Sequence, residues 1–293
     1  MGRVTGVASR YVSAVGVSER IIAVEAELPP AERRVAELVL RDAGAVAFGT
    51  VAEVAATSDT SGPTVVRLAT RLGFGGFADL QAAIRDEVTD RLRPAADRIR
   101  DRPVPDAVAG TLAAELENVH ATLEGMSTEA YTTAVGLLAG RSQRVAVMSG
   151  DASHGVAHLF ASNLGMIRPG VALVSGTATR VTRDLALLDP GDVVVALDLR
   201  RYERWLLNAL DEATRVGAVR IAITDSAISP VATGSAATFV VAADSPGPFD
   251  SHVGSLALCN ALVAGAAARL RRSASDRLDR VEQAWRAHGD LSE

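Results

Sequence analysis

The order of apolar and polar positions divides the chain into two regions with different periods. From Pro29 to about Arg93 apolar residues recur at helical spacing in short, punctuated segments. "PPAERRVAELVLRD" opens on prolines suited to a helix start and carries Val35, Leu38 and Val39 at helical spacing, which predicts a first helix. In "TVAEVAAT", Thr50 and Glu53 have the spacing of a capping box, where a hydroxyl and a carboxylate each satisfy an open backbone donor at a helix start. A second, short helix therefore begins at Val51. The polar cluster "TSDTS" breaks it, and "GPTVVRLATRLG" begins a third, with Pro63 in the first turn and Gly73 as its stop.

The charged, proline-punctuated "DRLRPAADRIRDRPVP" places the interdomain connection near residues 90–106, and "DAVAGTLAAELENVHATLEG" reads as a helix leading into the second region. From Arg144 short apolar runs alternate with helical stretches: "RVAVMSG", "VALV", "DVVVALDL", "VRIAITDS" and "TFVVAAD". That alternation is the signature of a parallel sheet covered on both faces by helices. The expected fold class is an all-α helix-turn-helix domain followed by an α/β three-layer (αβα) sandwich with a mostly parallel five-stranded sheet. The expected boundaries are a loose leader over 1–27, the helix-turn-helix domain over 28–92, a partly helical connector over 93–129, the sandwich over 130–272 and a C-terminal helix or tail over 273–293.

The short helix from Val51, its four-residue turn and the helix from Gly62 make a helix-turn-helix candidate. On a helical wheel Val65, Leu68, Ala69 and Leu72 share the face that packs inward, while Thr64, Arg67 and Arg71 fall on the other. No acid lies between Ser61 and Gly73, so the exposed face suits a major groove, with arginine forks on guanine edges or phosphates and Ser61 and Thr64 near the helix start. A plain helical bundle with solvated arginines is the other reading. The net charge of -5 opposes bulk coating of nucleic acid, so any DNA contact is local.

"TVAEVAATSDTSGPTVVRLATRLGFGGFADLQAAI" resembles the N-terminal domain of the RpiR family of bacterial transcription regulators, on its Ser/Thr-rich helix start, its arginine, the "LGF" stop and the "GF.DL" entry to the next helix. The resemblance covers roughly residues 28–90 and implies operator DNA as partner, with Ser61, Gly62, Thr64, Arg67 and Arg71 as contacts. Arg67 is alternatively a tether between this helix and its neighbours.

Open parallel sheets bind ligands beyond the carboxyl ends of their strands, where helix N-termini meet anions. "VAVMSGDASHGVAHLF" puts Ser149, Gly150, Asp151 and Ser153 in such a turn, without the second glycine of a dinucleotide fingerprint. These pieces, with "ITDSAISPVATGSAATFVV", resemble the sugar isomerase (SIS) domain usually joined to RpiR-type DNA-binding domains, over about residues 130–270. Many members carry a Ser-x-Ser-Gly-x-Thr phosphate cradle at the second loop, and this chain has "LDLRRYERW" there. Asp198, Arg200 and Arg201 stand in its place. A guanidinium forking onto an anion could replace the hydroxyls, or one arginine could pair with Asp198 or cap a helix. In "PFDSHVGSLALC", Asp250, Ser251 and His252 precede a long apolar helix, either capping it or meeting an anion or a second subunit. The expected ligand-binding set is Ser149, Asp151, Ser153, Asp198, Arg200, Arg201, Ser251 and His252.

Composition adds exclusions. Hydrophobic residues are 48% of the chain and aromatics 4%, favouring Ala, Val and Leu packed between helices over an aromatic-rich β sandwich. The single cysteine, Cys259, lies in an apolar run, which leaves no intrachain disulfide or thiolate cluster. His154 and His158 lack the acidic partner of a zinc motif, so no metal and no cofactor are expected. The start lacks a continuous apolar segment and no window suggests a membrane span, so the chain reads as cytoplasmic. The resulting expectation is a transcription regulator, not an enzyme, that senses a small anionic carbohydrate-derived effector as a homodimer or homotetramer. The competing readings are a sugar-phosphate isomerase, for which His154 or His252 would have to act as base, and a metabolite-binding adaptor without DNA binding.

Overall fold

Capping and proline placement fix the first helices where the pattern puts them. In the computed structural model, which describes residues 16–290 apart from 25–26, 42, 93, 102–105, 141 and 228, the chain divides into two units at Arg93 and Pro94. The first holds α1 (Val17–Val24), α2 (Pro30–Arg41), α3 (Ala43–Phe48), α4 (Val51–Thr57), α5 (Gly62–Arg71) and α6 (Phe77–Leu92). The Thr50 hydroxyl accepts from Glu53 N–H at 3.3 Å while the Glu53 carboxylate accepts from Thr50 N–H at 2.7 Å, so the expected capping box starts α4. Val35, Leu38, Val54, Val65, Leu68, Leu80 and Ile84 form the core of this unit.

The leader expected over 1–27 needs correction. Residues 1–15 lie outside the described residues, but Val17–Val24 is helical and buries Val17 and Ile21 in the same core. The stretch is too short to show a helical period, and its identity as core emerges only when α6 supplies Glu87, which accepts from Val17 N–H at 2.6 Å.

The second unit holds α7 (Ala95–Asp101), α8 (Ala107–Glu124) and α9 (Thr128–Leu138), then β1 (Val145–Ser149), α10 (His154–Ile167), β2 (Val171–Leu173), α11 (Ala178–Ala186), β3 (Val193–Leu197), α12 (Arg204–Arg215), β4 (Val219–Thr224), β5 (Ala237–Val240), α13 (Val253–Leu270) and α14 (Arg272–His288). All five strands pair in parallel in the order β2-β1-β3-β4-β5, each of the five apolar runs supplying one strand. One layer, with α9, α10 and α13, packs on Val145, Val147, Val193, Val195 and Ile221. The other, with α11 and α12, packs on Ala146, Met148, Val194, Ala196 and Ala222. The alternation of faces along β1 and β3 thus feeds two separate cores. The strand order reverses between β1 and β3, and at such a switch point the loops beyond the strand ends diverge and leave a crevice.

Two expectations change here. The connector is more than a link, because α8 packs along α13. Asn118 of α8 donates to the Asp244 carbonyl at 2.7 Å and accepts from Asp244 N–H at 2.9 Å, and the Thr122 hydroxyl accepts from Ala242 N–H at 3.0 Å. These side chains take the place of a further strand for the chain that leaves β5. Gly254 lets α13 approach that closely, since a Cβ there would stand 2.6 Å from Thr122 Oγ1 and 2.7 Å from the Ala242 carbonyl. Second, the reading of no membrane-length apolar stretch is overturned on composition: α13 is 18 residues with mean hydropathy 1.5. It packs against α8, α9 and α10 and puts Leu258, Cys259, Leu262 and Ala266 into the core.

Asn118→Leu should remove both backbone-mimicking bonds at once and lower stability by about 1–3 kcal/mol through unsatisfied Asp244 groups. Both tryptophans, Trp205 and Trp285, belong to the second unit, so the urea midpoint of tryptophan fluorescence reads this loss directly.

Candidate functional sites: the α4–α5 helix pair and the strand-end loops

In the first unit the turn Ser58–Ser61 joins α4 to α5 at the expected place, and α2 holds it: Arg34 donates to the carbonyls of Ser58, at 3.3 Å, and Asp59, at 2.9 Å. Of the five predicted contacts, Ser61, Arg67 and Arg71 are exposed and Gly62 is half-buried. Thr64 is buried, which corrects its placement on the outer face. It stands four residues before Leu68 and therefore on the flank of the apolar stripe. Its hydroxyl bonds Ser61 Oγ at 2.9 Å and accepts from Arg67 Nη2 at 2.9 Å, so it orients the helix start and Arg67.

The tethering role foreseen for Arg67 falls mainly to Arg71. Glu32 of α2 is buried, and Arg71 Nε lies 2.7 Å from its carboxylate against 3.6 Å for Arg67 Nε. The Glu32 hydrogen bond and charge hold the Arg71 guanidinium above its ordinary value. Arg67 keeps 59% of its side chain exposed and shares the outward face with Val66 and Thr70. Thr70 escaped the sequence reading, although its exposure follows from lying three residues after Arg67.

At the carboxyl end of the sheet β1 and β3 bring two loops together. Gly150 N–H donates to the Leu197 carbonyl at 3.1 Å, and a Cβ at Gly150 would stand 2.4 Å from Asp198 Oδ1. Asp198 is buried and pairs with no arginine among the described contacts; its oxygens accept from Leu199 N–H at 3.0 Å and Glu203 N–H at 2.9 Å. Burial pushes its carboxyl up to about 6, with the charges of Glu203 and Asp225 adding and the two backbone bonds opposing. Ser149 and Ser153 are buried with hydroxyls that have no hydrogen-bond partner. Asp151, exposed on the single 3₁₀ turn before α10, donates its N–H to Glu203 Oε1 at 2.6 Å.

Arg200 is spoken for by the protein's own acids. Its φ is +57°, an uncommon backbone for a side-chain-bearing residue, held by its N–H on Asp225 Oδ1 at 3.0 Å. Its guanidinium reaches Asp244 and Asp250, each at 3.2 Å, and Arg98 of α7 reaches the same Asp250 oxygen at 2.7 Å. Arg201 is exposed at the surface of the same loop.

Ser251 and His252 lie elsewhere, in the wall of a cavity of about 370 Å³ with Glu115, Val156, Phe249 and Asp250. The capping alternative holds for Ser251, whose hydroxyl accepts from Val253 N–H at 3.1 Å and donates to Glu115. His252 makes no cap, and its buried Nδ1 has no partner. Burial lowers its imidazole below the ordinary range, with Asp250 pulling the other way. The predicted ligand set is therefore split: Ser149, Asp151, Ser153 and Asp198 gather at the β1–β3 ends, Ser251 and His252 line the cavity, and Asp250 links the cavity to Arg200.

A helical domain with a helix-turn-helix and an α/β domain with a strand-end crevice define a two-domain protein. Residues 15–91 match the helix-turn-helix domain of the rpiR family, and residues 138–265 match the SIS domain. The chain is thus a member of the RpiR family, joining its helix-turn-helix to a SIS domain. It is 29% identical over 219 residues to the bifunctional protein glk of Paraburkholderia xenovorans (strain LB400), covering 73% of this chain but only 33% of that protein. The sugar isomerase domain of an RpiR transcription factor from Sphaerobacter thermophilus superposes with a TM-score of 0.55 and 29% identity, covering 60% of this chain and 98% of that one. The Vibrio vulnificus NanR protein, complexed with ManNAc-6P, has the same fold at TM-score 0.55 and 19% identity over 92% of this chain and 98% of its own.

The raised Asp198 carboxyl makes a pH prediction. The folded chain holds a proton there between the ordinary 3.8 and about 6, so this contribution to stability is full below about 4 and is lost as pH rises through 6. The loss reaches up to about 3 kcal/mol. Asp198→Asn should flatten that slope in urea titrations followed by tryptophan fluorescence between pH 4.5 and 7.5, and an unchanged slope would assign it to other groups.

Proposed function

We propose that this protein is a DNA-binding transcription regulator whose SIS domain senses a sugar phosphate or sugar acid and thereby controls genes of sugar catabolism. The observation that carries the DNA reading is α5: an acid-free outward face with Arg67 and Thr70 exposed, on a helix whose angle to α2 is set by buried Glu32. Ser61, Gly62, Arg67 and Arg71 are the contacts we assign to the operator, with Thr64 acting through Ser61 and Arg67. The ManNAc-6P bound by NanR supports a phosphorylated sugar as the class of effector. Such a regulator works in the cytoplasm, where its operator is. Helix-turn-helix domains bind paired half-sites, so the working form is a homodimer or larger. The exposed apolar residues Val108, Leu112 and Leu116, four apart along α8, fit a subunit contact.

The isomerase reading is weaker on the same geometry. Such a reaction needs a base whose lone pair faces the substrate. Asp198, the carboxyl with the raised proton affinity, spends both oxygens on backbone amides, and His252 lies in the separate cavity. We therefore assign ligand binding without turnover. An aldose phosphate incubated with the purified protein should show no ketose formation, and steady conversion would establish an enzyme instead.

Selection of bound DNA from a random pool, with and without sugar phosphates, tests the main reading. Arg67→Ala should weaken the selected site by roughly 1–3 kcal/mol without unfolding the chain. Arg71→Ala should weaken it too and also lower the melting temperature of the first unit, because buried Glu32 loses its nearer partner. Unchanged DNA affinity in both variants would remove α5 from the interface.

A further inference from the structure

The crevice between the β1 and β3 loops has the donors of an anion site, and one of them is already engaged by a carboxylate. Glu203 Oε1 accepts from the N–H of Asp151 at 2.6 Å, and Glu203 Oε2 accepts from the indole N–H of Trp205. The segment that carries the Asp151 N–H also carries Ser149 and Ser153, both buried and both with hydroxyls that have no partner. Two N–H donors converging on one carboxylate mark a place where acceptor oxygens bind. A phosphoryl group carries the larger acceptor set.

We propose that the Glu203 carboxylate is an internal occupant of this strand-end cradle, and that a sugar phosphate binds by displacing it. The proposal rests on the sugar-phosphate reading above and adds how the site is guarded. Displacement is local. The Glu203 backbone is pinned by its N–H on Asp198, so the side chain alone has to swing away. Glu203 also stands immediately before α12, and Trp205 lies in the first turn of that helix, so releasing the carboxylate frees the indole N–H from its partner. A competing occupant lowers the apparent affinity for the ligand by the fraction of time it fills the site. Specificity follows from the same competition, because an uncharged sugar offers the Asp151 and Trp205 donors nothing stronger than the carboxylate they already hold.

The test uses the full chain in calorimetric titrations with glucose 6-phosphate, N-acetylmannosamine 6-phosphate and unphosphorylated glucose. Glu203→Ala should bind at least one of the phosphates about tenfold or more tightly than wild type, with no gain for glucose. Trp205→Phe, which keeps the carboxylate but removes one of its holders, should show a smaller gain and covers the case in which Glu203→Ala fails to fold. Trp205 fluorescence should shift when phosphate binds wild type and stay constant in Glu203→Ala. If wild type binds a phosphate and neither folded variant binds it more tightly, the displacement proposal falls while the sensor reading stands. If neither wild type nor variants bind any phosphate, both fall together.

Discussion

Everything at the carboxyl end of the sheet depends on how closely the loops after β1 and β3 approach each other. Gly150 permits the approach, for a Cβ there would lie 2.4 Å from Asp198 Oδ1. Asp198 then organises the second loop, taking the N–H groups of Leu199 and Glu203 on its two oxygens. Its burial makes this costly above about pH 6, and the cost is tolerable only because two backbone donors that would otherwise be buried and empty are satisfied in exchange. Glu203 is delivered to the Asp151 N–H by that same turn, so one glycine and one buried carboxyl define where the crevice is and what faces it.

The helix-turn-helix unit uses a buried carboxylate in a comparable way. Glu32 is nearly inaccessible, yet its partners Arg71 and Arg67 are about half exposed. A buried acid with cations at the surface anchors the helix on its inner side and leaves guanidinium N–H groups available outside. The two arginines are thereby differentiated. Arg71, at 2.7 Å, gives up mobility for position, while Arg67, at 3.6 Å and bonded to Thr64, remains the more available fork.

What the sequence revealed follows the range of the interactions concerned. The helix-turn-helix boundaries and all five strands were legible because capping boxes, prolines and apolar runs act within a few residues. The helix Val17–Val24 and the packing of α8 on α13 were not, since each depends on partners far along the chain, whereas the burial of Thr64 follows from its place on the flank of the apolar stripe of α5. Arg200 shows the limit most clearly. Its place at the end of β3 pointed to a ligand, but its partners Asp244 and Asp250 arrive from the loop after β5, more than 40 residues later. Glu203 carries no local signal at all, because nothing near it announces that the Asp151 N–H, 52 residues earlier, will meet it.

Both cases have one physical origin. In a sheet ordered β2-β1-β3-β4-β5 the strand ends converge from distant parts of the chain, so charges that look unopposed in sequence are neutralised across the crevice. Arg200 is balanced by two aspartates and shares Asp250 with Arg98, which places a cation of α7 in the same network as the strand-end loop. A negative ligand entering such a site does not meet a waiting positive charge; it meets donors and cations already shared with the protein's own acids. On the displacement proposed above, binding is an exchange of one anion for another. The free energy available to shift the protein between states is the difference between the two partners, not the full strength of either. On the exchange proposed above, discrimination would rest on acceptor number and geometry rather than on charge alone, and the spacing of the Asp151 and Trp205 donors would set it.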